Sequence, residues 1–165
     1  MTLEAINALD QQSFVDTLGW LFEHSPWVAE RAWKARPFSS MESLHTTMRS
    51  VVRAAAIDEQ LALICAHPDL GARAKMTNAS AGEQAGAGLD QLTSDEFNLL
   101  QSLNSAYRLK FGFPFIYAVK GAGKHDILLA LQQRLTSDAA SERETALQQI
   151  ERIAWFRLTS IQESK

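Results

Sequence analysis

The sequence has 165 residues, enough for one compact domain with a real core and too few for two comfortable ones. Hydrophobic residues make up 46% and charged residues 21%, the balance of an ordinary globular protein. A net charge of −3 gives no electrostatic reason to expect nucleic acid or an anionic membrane as partner, and no stretch approaches the ~20 apolar residues of a membrane span.

In chain order, Met1 to Asn7 shows no basic stretch followed by an apolar run, so no secretory signal is expected. Ser13 is placed to cap a helix bearing Phe14, Leu18, Leu21 and Phe22 on one stripe. Ser25-Pro26 combines a capping residue with a first-turn proline and starts a second helix, which runs to about Ala35. Pro37 stops it, because the residue before a proline avoids helical angles. Ser39 with Glu42 reads as a capping box, ahead of a buried stripe of Leu44, Met48, Val51, Val52 and Ala55. Asp58 is placed to cap a fourth helix carrying Leu61, Leu63 and Ile64, which runs into Pro68.

From Gly71 to Gly88 the periodicity vanishes and small residues dominate, which predicts a long loop or a broken helix. Thr93 and Glu96 form a capping box before Phe97, Leu100, Leu103 and Tyr107, and Gly112 ends that helix. Residues 113–119 are apolar and extended, with Pro114 forbidding helix continuation. Ile127, Leu128, Leu131 and Leu135 mark a further helix, and Ser141 with Glu144 is placed to cap the last, which carries Leu147, Ile150, Ala154, Leu158 and Ile161. The pattern predicts a single all-α domain over residues 1–165, of about seven helices with an extended segment near 113–119.

Several residues carry chemistry in this pattern. His67 stands where Pro68 forces a helix to end, so its imidazole is held at a fixed exit and titrates near neutrality when unperturbed. The plainer reading is a helix-terminal histidine interacting with the local dipole. Glu83 and Gln84 follow in the run Ser80-Ala81-Gly82-Glu83-Gln84, which places a hydroxyl, a carboxylate and an amide around small residues. That group suits a substrate rich in N–H and C=O groups; it equally fits a helix start with Ser80 as the cap and Glu83 three residues on. The 113–119 stretch reads as core, yet extended backbone cannot satisfy its own polar groups and so can offer them to a ligand. Arg157 falls inside the buried arc of the last helix and needs a substrate oxygen or an internal acid as its partner. His24, His45 and His125 read as surface or packing residues, and Cys65 as a buried apolar one. His67, Asp69 and Glu83 are metal-ligand types, but no paired-histidine or paired-cysteine spacing accompanies them, so no metal is expected. The single cysteine fits a reducing compartment, and Ser164-Lys165 does not complete a peroxisomal address; the cytoplasm is the expected location.

Read together, these segments resemble one known family. Phe22-Glu23-His24-Ser25-Pro26-Trp27, Arg36-Pro37-Phe38, His67-Pro68-Asp69-Leu70-Gly71, Ser80-Ala81-Gly82-Glu83-Gln84, Leu103-Asn104 with Tyr107, Lys110 to Ile116, and Arg157-Leu158 occur in the order and spacing of the 2-oxo-4-hydroxy-4-carboxy-5-ureidoimidazoline (OHCU) decarboxylases. The resemblance spans Phe14 to about Leu158. It implies an all-helical fold, decarboxylation of OHCU to (S)-allantoin in urate breakdown, no metal or organic cofactor, and a homodimer. It also implies a catalytic pair of His67 and Glu83. Substrate contacts are implied at Pro68, Ser80, Gln84, Phe115, Ile116, Tyr117, Ala118, Val119 and Arg157. Rival readings are a non-catalytic helical interaction module, with residues 71–88 as the partner loop, and a metal-dependent ureide hydrolase.

Overall fold

A computed structural model describes residues 1–71 and 76–163. They hold nine α-helices and two 3-10 turns, with no β-strand among the described residues, so the all-α expectation holds. The two helices beyond the expected seven are the short α1 (Leu3–Ala8) and α6 (Asn78–Gly86), the latter inside the aperiodic stretch. The described residues group into two compact units: residues 1–66 with the chain from residue 150 onward, and residues 67–149.

The first unit contains α1, α2 (Gln11–Leu18), α3 (Trp27–Ala32), α4 (Met41–Ala54), α5 (Ile57–Cys65) and the later turns of α9 (Ala139–Glu163). Phe14, Leu18, Leu21 and Phe22 are all buried, as their stripe predicts, although the α-helix gives way to a 3-10 turn after Leu18. Its core continues through Leu44, Met48 and Val52 of α4 and Leu63 and Ile64 of α5.

Helix starts differ from the sequence expectations by small steps with a common cause. Asp10, not Ser13, caps α2, accepting from the Ser13 amide at 2.8 Å. Ser40 rather than Ser39 caps α4 through the Ser43 amide. Ser25 caps nothing, because its hydroxyl donates to the Glu23 carbonyl. Asp58 lies within the first turn of α5, and Glu59 reaches back to the Ala56 amide instead. At α9, Asp138 accepts from the amide of Ser141, so Ser141 lies inside the helix it was expected to cap. A cap is whichever side-chain oxygen reaches the amide three residues on, and neighbouring candidates differ only in backbone angles.

Cys65 is exposed, contrary to the buried expectation. It shares a helical face with exposed Asp58 and Ala62, while Leu63 and Ile64 take the core side.

One buried carboxylate organises the outer face of this unit. Glu151 is 4% exposed and receives Arg49 Nε at 3.1 Å and Arg53 Nε at 2.6 Å. His45 Nε2 lies 2.8 Å from the Glu151 carbonyl, and the imidazole packs against Trp155 at 5.2 Å between ring centres. Burial holds the His45 imidazole below its usual value, opposed by the carbonyl it donates to. The unfolded chain therefore takes up this proton first, and the stabilising effect of a neutral His45 is present above about pH 6.5. It is lost progressively as pH falls below that value toward the lower folded one. Urea unfolding at pH 7.5 and 5.5 is expected to show the native protein losing more stability over this interval than His45→Phe does. Equal losses would remove His45 as a source of acid sensitivity.

The second unit contains α6, α7 (Ser94–Phe111), α8 (Lys124–Arg134) and the first turns of α9. The Thr93–Glu96 capping box is present as expected. Gly112 ends α7 in the left-handed region at φ +77°, a conformation in which a Cβ is disfavoured. α7 packs on α8, and the stretch from Phe113 to Val119 runs through the unit as neither helix nor strand. Phe113, Phe115, Ile116, Ala118 and Val119 are nonetheless buried.

Candidate active site

Ten of the eleven sequence-predicted site residues belong to the second unit. α5 ends at Cys65, and His67 follows two residues later, 7% exposed, with Pro68 half-buried beside it. The next three residues are each held by a side chain of another element. Arg108 Nη2 pairs with Asp69 Oδ1 at 2.9 Å. Asn104 Nδ2 donates to the Leu70 carbonyl at 2.9 Å. The Gly71 amide donates to Gln84 Oε1, also at 2.9 Å. Two of these anchors come from α7 and one from α6, so the chain immediately after His67 is restrained at consecutive positions.

Gly71 itself has no room for a side chain. Its φ is +70°, and a Cβ there would fall 2.4 Å from Leu100 Cδ2. Left-handed backbone and a buried leucine both argue for glycine at this position.

α6 supplies the next group. Thr77 caps it by accepting from the Ser80 amide, so Ser80 is an interior helical residue rather than the cap. That shift has a consequence for the site. At about 100° per residue, Ser80, Glu83 and Gln84 fall within one arc of the helix. Ser80 and Gln84 are each 5% exposed and Glu83 is half-buried. Gln84 uses both ends of its amide, Oε1 toward Gly71 and Nε2 toward Met76 Sδ at 3.2 Å. A buried amide so employed ties α6 to the loop after His67.

Two cavities border this loop. One of about 780 Å³ is lined by Asp69, Leu70, Gly71 and polar residues of α7, including Asn98, Gln101 and Asn104. The other, about 260 Å³, is lined by Gly71, Met76, Gln84, Leu89 and Phe97 among others. Neither lining includes His67 or Glu83. Among the described residues no three His, Cys, Asp or Glu side chains gather as a metal-binding group.

The segment 115–119 has two of its backbone groups taken by side chains. Arg134 Nη1 donates to the Ile116 carbonyl, and the Ala118 amide donates to Gln149 Oε1 at 2.9 Å.

Arg157 belongs to the first unit and is 4% exposed. Its Nη2 pairs with Glu23 Oε2 at 2.9 Å and its Nη1 donates to the Trp20 carbonyl at 3.0 Å. The internal acid that its buried position called for is therefore Glu23, itself 2% exposed.

Glu23, Asn104, Arg134 and Glu142 were not singled out for chemistry from the sequence. Glu23 follows the buried Leu21 and Phe22, a placement that flags a paired carboxylate. Asn104 lies on the apolar face of α7 four residues after Leu100 and three before Tyr107. No comparable signal marks Arg134, whose partners are distant in sequence.

The sequence model of the OHCU decarboxylase family matches residues 7–159. A 2-oxo-4-hydroxy-4-carboxy-5-ureidoimidazoline decarboxylase of Haloferax volcanii is 47% identical over 158 residues, covering 96% of this chain and 94% of that protein. The uric acid degradation bifunctional protein PucL of Bacillus subtilis is 48% identical over 160 residues, 97% of this chain but 32% of that longer protein. Among solved structures, a crystal structure of (S)-allantoin synthase matches 97% of this chain and 54% of its own, with a TM-score of 0.81 and 34% identity. With matched helices, ordered motifs and near full-length similarity in agreement, this chain belongs to the OHCU decarboxylase family.

Proposed function

We infer that this protein decarboxylates OHCU to (S)-allantoin in urate breakdown. The observation that carries the reading is the family match over residues 7–159, with His67, Ser80, Glu83 and Gln84 within one compact unit. Membership of an enzyme family favours catalysis over a purely interacting helical module.

The substrate carries its carboxylate on a ring carbon that also bears a hydroxyl, beside a ring C=N bond. When that carbon–carboxylate bond breaks, its electron pair forms a carbon–carbon double bond and the C=N nitrogen takes a proton. Carbon dioxide leaves, and an enol remains. The enol hydroxyl then gives up its proton while the ring carbon bearing the ureido group takes one. One proton is consumed overall. The molecule supplies its own electron sink, so no cofactor is invoked.

What the protein contributes is orientation and one-sided proton delivery. His67 carries the proton and Glu83 orients or charges its imidazole. Pro68 fixes the histidine at the helix exit, while Ser80, Gln84 and the backbone of Phe115, Ile116, Tyr117, Ala118 and Val119 hold the ring and ureido amides. Arg157 supplies a cation for an anionic or carbonyl oxygen of the substrate. We place the enzyme in the cytoplasm as a homodimer, on the family resemblance and the single cysteine.

The test uses freshly generated urate-oxidation intermediates followed by circular dichroism. The protein is expected to speed their conversion above the slow background and to yield an excess of (S)-allantoin. Racemic product at the background rate would defeat the reading.

A further inference from the structure

We propose that Arg134, fixed by Glu142 and Tyr107, is a positioning residue that sets the backbone of segment 115–119 for substrate, with Gln149 as a second anchor. The proposal rests on the reading above that this segment holds the substrate's amides.

Segment 115–119 lies outside helix and strand, so no regular ladder determines where its backbone groups point. Side chains do so instead. Arg134 Nη1 donates to the Ile116 carbonyl in the middle of the segment, and Gln149 Oε1 receives the Ala118 amide at 2.9 Å. The two anchors are two residues apart and grip a carbonyl and an amide.

Arg134 is itself held on three sides. Its Nε donates to Glu142 Oε1 at 2.5 Å. Its Nη2 also lies against Glu142 Oε1 but without hydrogen-bond geometry, which adds charge attraction rather than a directed bond. Its guanidinium stacks 4.4 Å from the centre of the Phe115 ring. Glu142 is 1% exposed and accepts the Tyr107 hydroxyl at 2.5 Å. Burial first, then the carboxylate acceptor, push the Tyr107 hydroxyl well above its usual value, so it remains a donor at any physiological pH. The chain of contacts thus runs from the core of α7, through α9 and α8, to one carbonyl.

Charge alone does not explain this arrangement. A carboxylate partner for Arg134 needs only one edge of the guanidinium; here the planar fork serves the carboxylate and the Ile116 carbonyl at once. Lysine carries the same charge but one donor centre and no planar face for Phe115. Displacing reacting groups by about 1 Å is enough to cost about 10²-fold in rate.

The experiment compares wild type, Arg134→Lys and Gln149→Met with fresh OHCU, measuring kcat, KM and the enantiomeric excess of the allantoin formed. Arg134→Lys is expected to lower kcat/KM by about 10²-fold and Gln149→Met by about tenfold, both with reduced enantiomeric excess. Enantiomeric excess, taken on the enzymatic product after subtracting the racemic background measured without enzyme, is the deciding readout, because a merely destabilised enzyme has fewer active molecules but the same facial selectivity. Should Arg134→Lys fail to fold, Gln149→Met, at a half-buried site, carries the test alone. Activity that falls only in proportion to folded protein, with KM and enantiomeric excess unchanged, would overturn the proposal. A wild type that produces racemic allantoin at the background rate would instead overturn the OHCU assignment on which it rests.

Discussion

Replacing His67 by Asn is expected to reduce turnover of OHCU by about 10²- to 10⁴-fold, the span typical of losing a positioned general acid or base. Asparagine approximates the imidazole in size and keeps a hydrogen-bonding amide, but it cannot take or give a proton near neutral pH. The loop after His67 should persist, because Asp69, Leu70 and Gly71 are held by Arg108, Asn104 and Gln84. Far-ultraviolet circular dichroism and the thermal midpoint should therefore stay near the wild-type values. Residual product in the variant should approach the racemate, since uncatalysed protonation has no preferred face. His67→Asn retaining a tenth or more of the wild-type rate with full enantiomeric excess would remove His67 from the proton path.

Arg157→Ala is expected to destabilise the protein by about 3–5 kcal/mol, because it breaks a buried ion pair by removing the guanidinium that faces the Glu23 carboxylate. In a chain of this length that corresponds to a fall of roughly 10 °C in thermal midpoint. Truncating Arg157 alone would thus lower activity whatever its part in substrate binding. The double variant Glu23→Leu, Arg157→Met separates the two roles by replacing both charges with apolar groups of similar volume. Such exchanges are often neutral or stabilising. Restored stability with activity still absent would support a substrate contact by Arg157. Restored stability together with restored activity would leave the arginine a purely structural partner of Glu23.

Much of the fold was legible from the residues because its causes are local. Helical periodicity and the Thr93–Glu96 capping box depend on side chains within a turn or two of one another, and the stripe of Phe14, Leu18, Leu21 and Phe22 is buried as its spacing required. The helix inside residues 71–88 was legible only as one of two alternatives, with Ser80 as its cap, because alanine and glycine give α6 almost no apolar stripe; its start depends on the reach of the Thr77 hydroxyl. Cap identities moved by one to three residues for the same reason, since Ser39 and Ser40 are chemically equivalent and only backbone angles distinguish them.

The candidate site divides along the same line. His67 could be singled out from the sequence alone, because a titratable ring at a proline-terminated helix end is a local feature, and the family motif then attached a substrate to it. The sequence also required a partner for Arg157, since a guanidinium on a buried stripe needs one, but could not choose between substrate and acid. Only the tertiary structure identified Glu23, 134 residues away along the chain, as an ion-pair partner. It alone revealed that Asn104 and Gln84 hold Leu70 and Gly71, and that Arg134 reaches the Ile116 carbonyl. These contacts join residues 13 to 34 positions apart, beyond any helical repeat, and they depend on how helices pack rather than on any one helix's pattern.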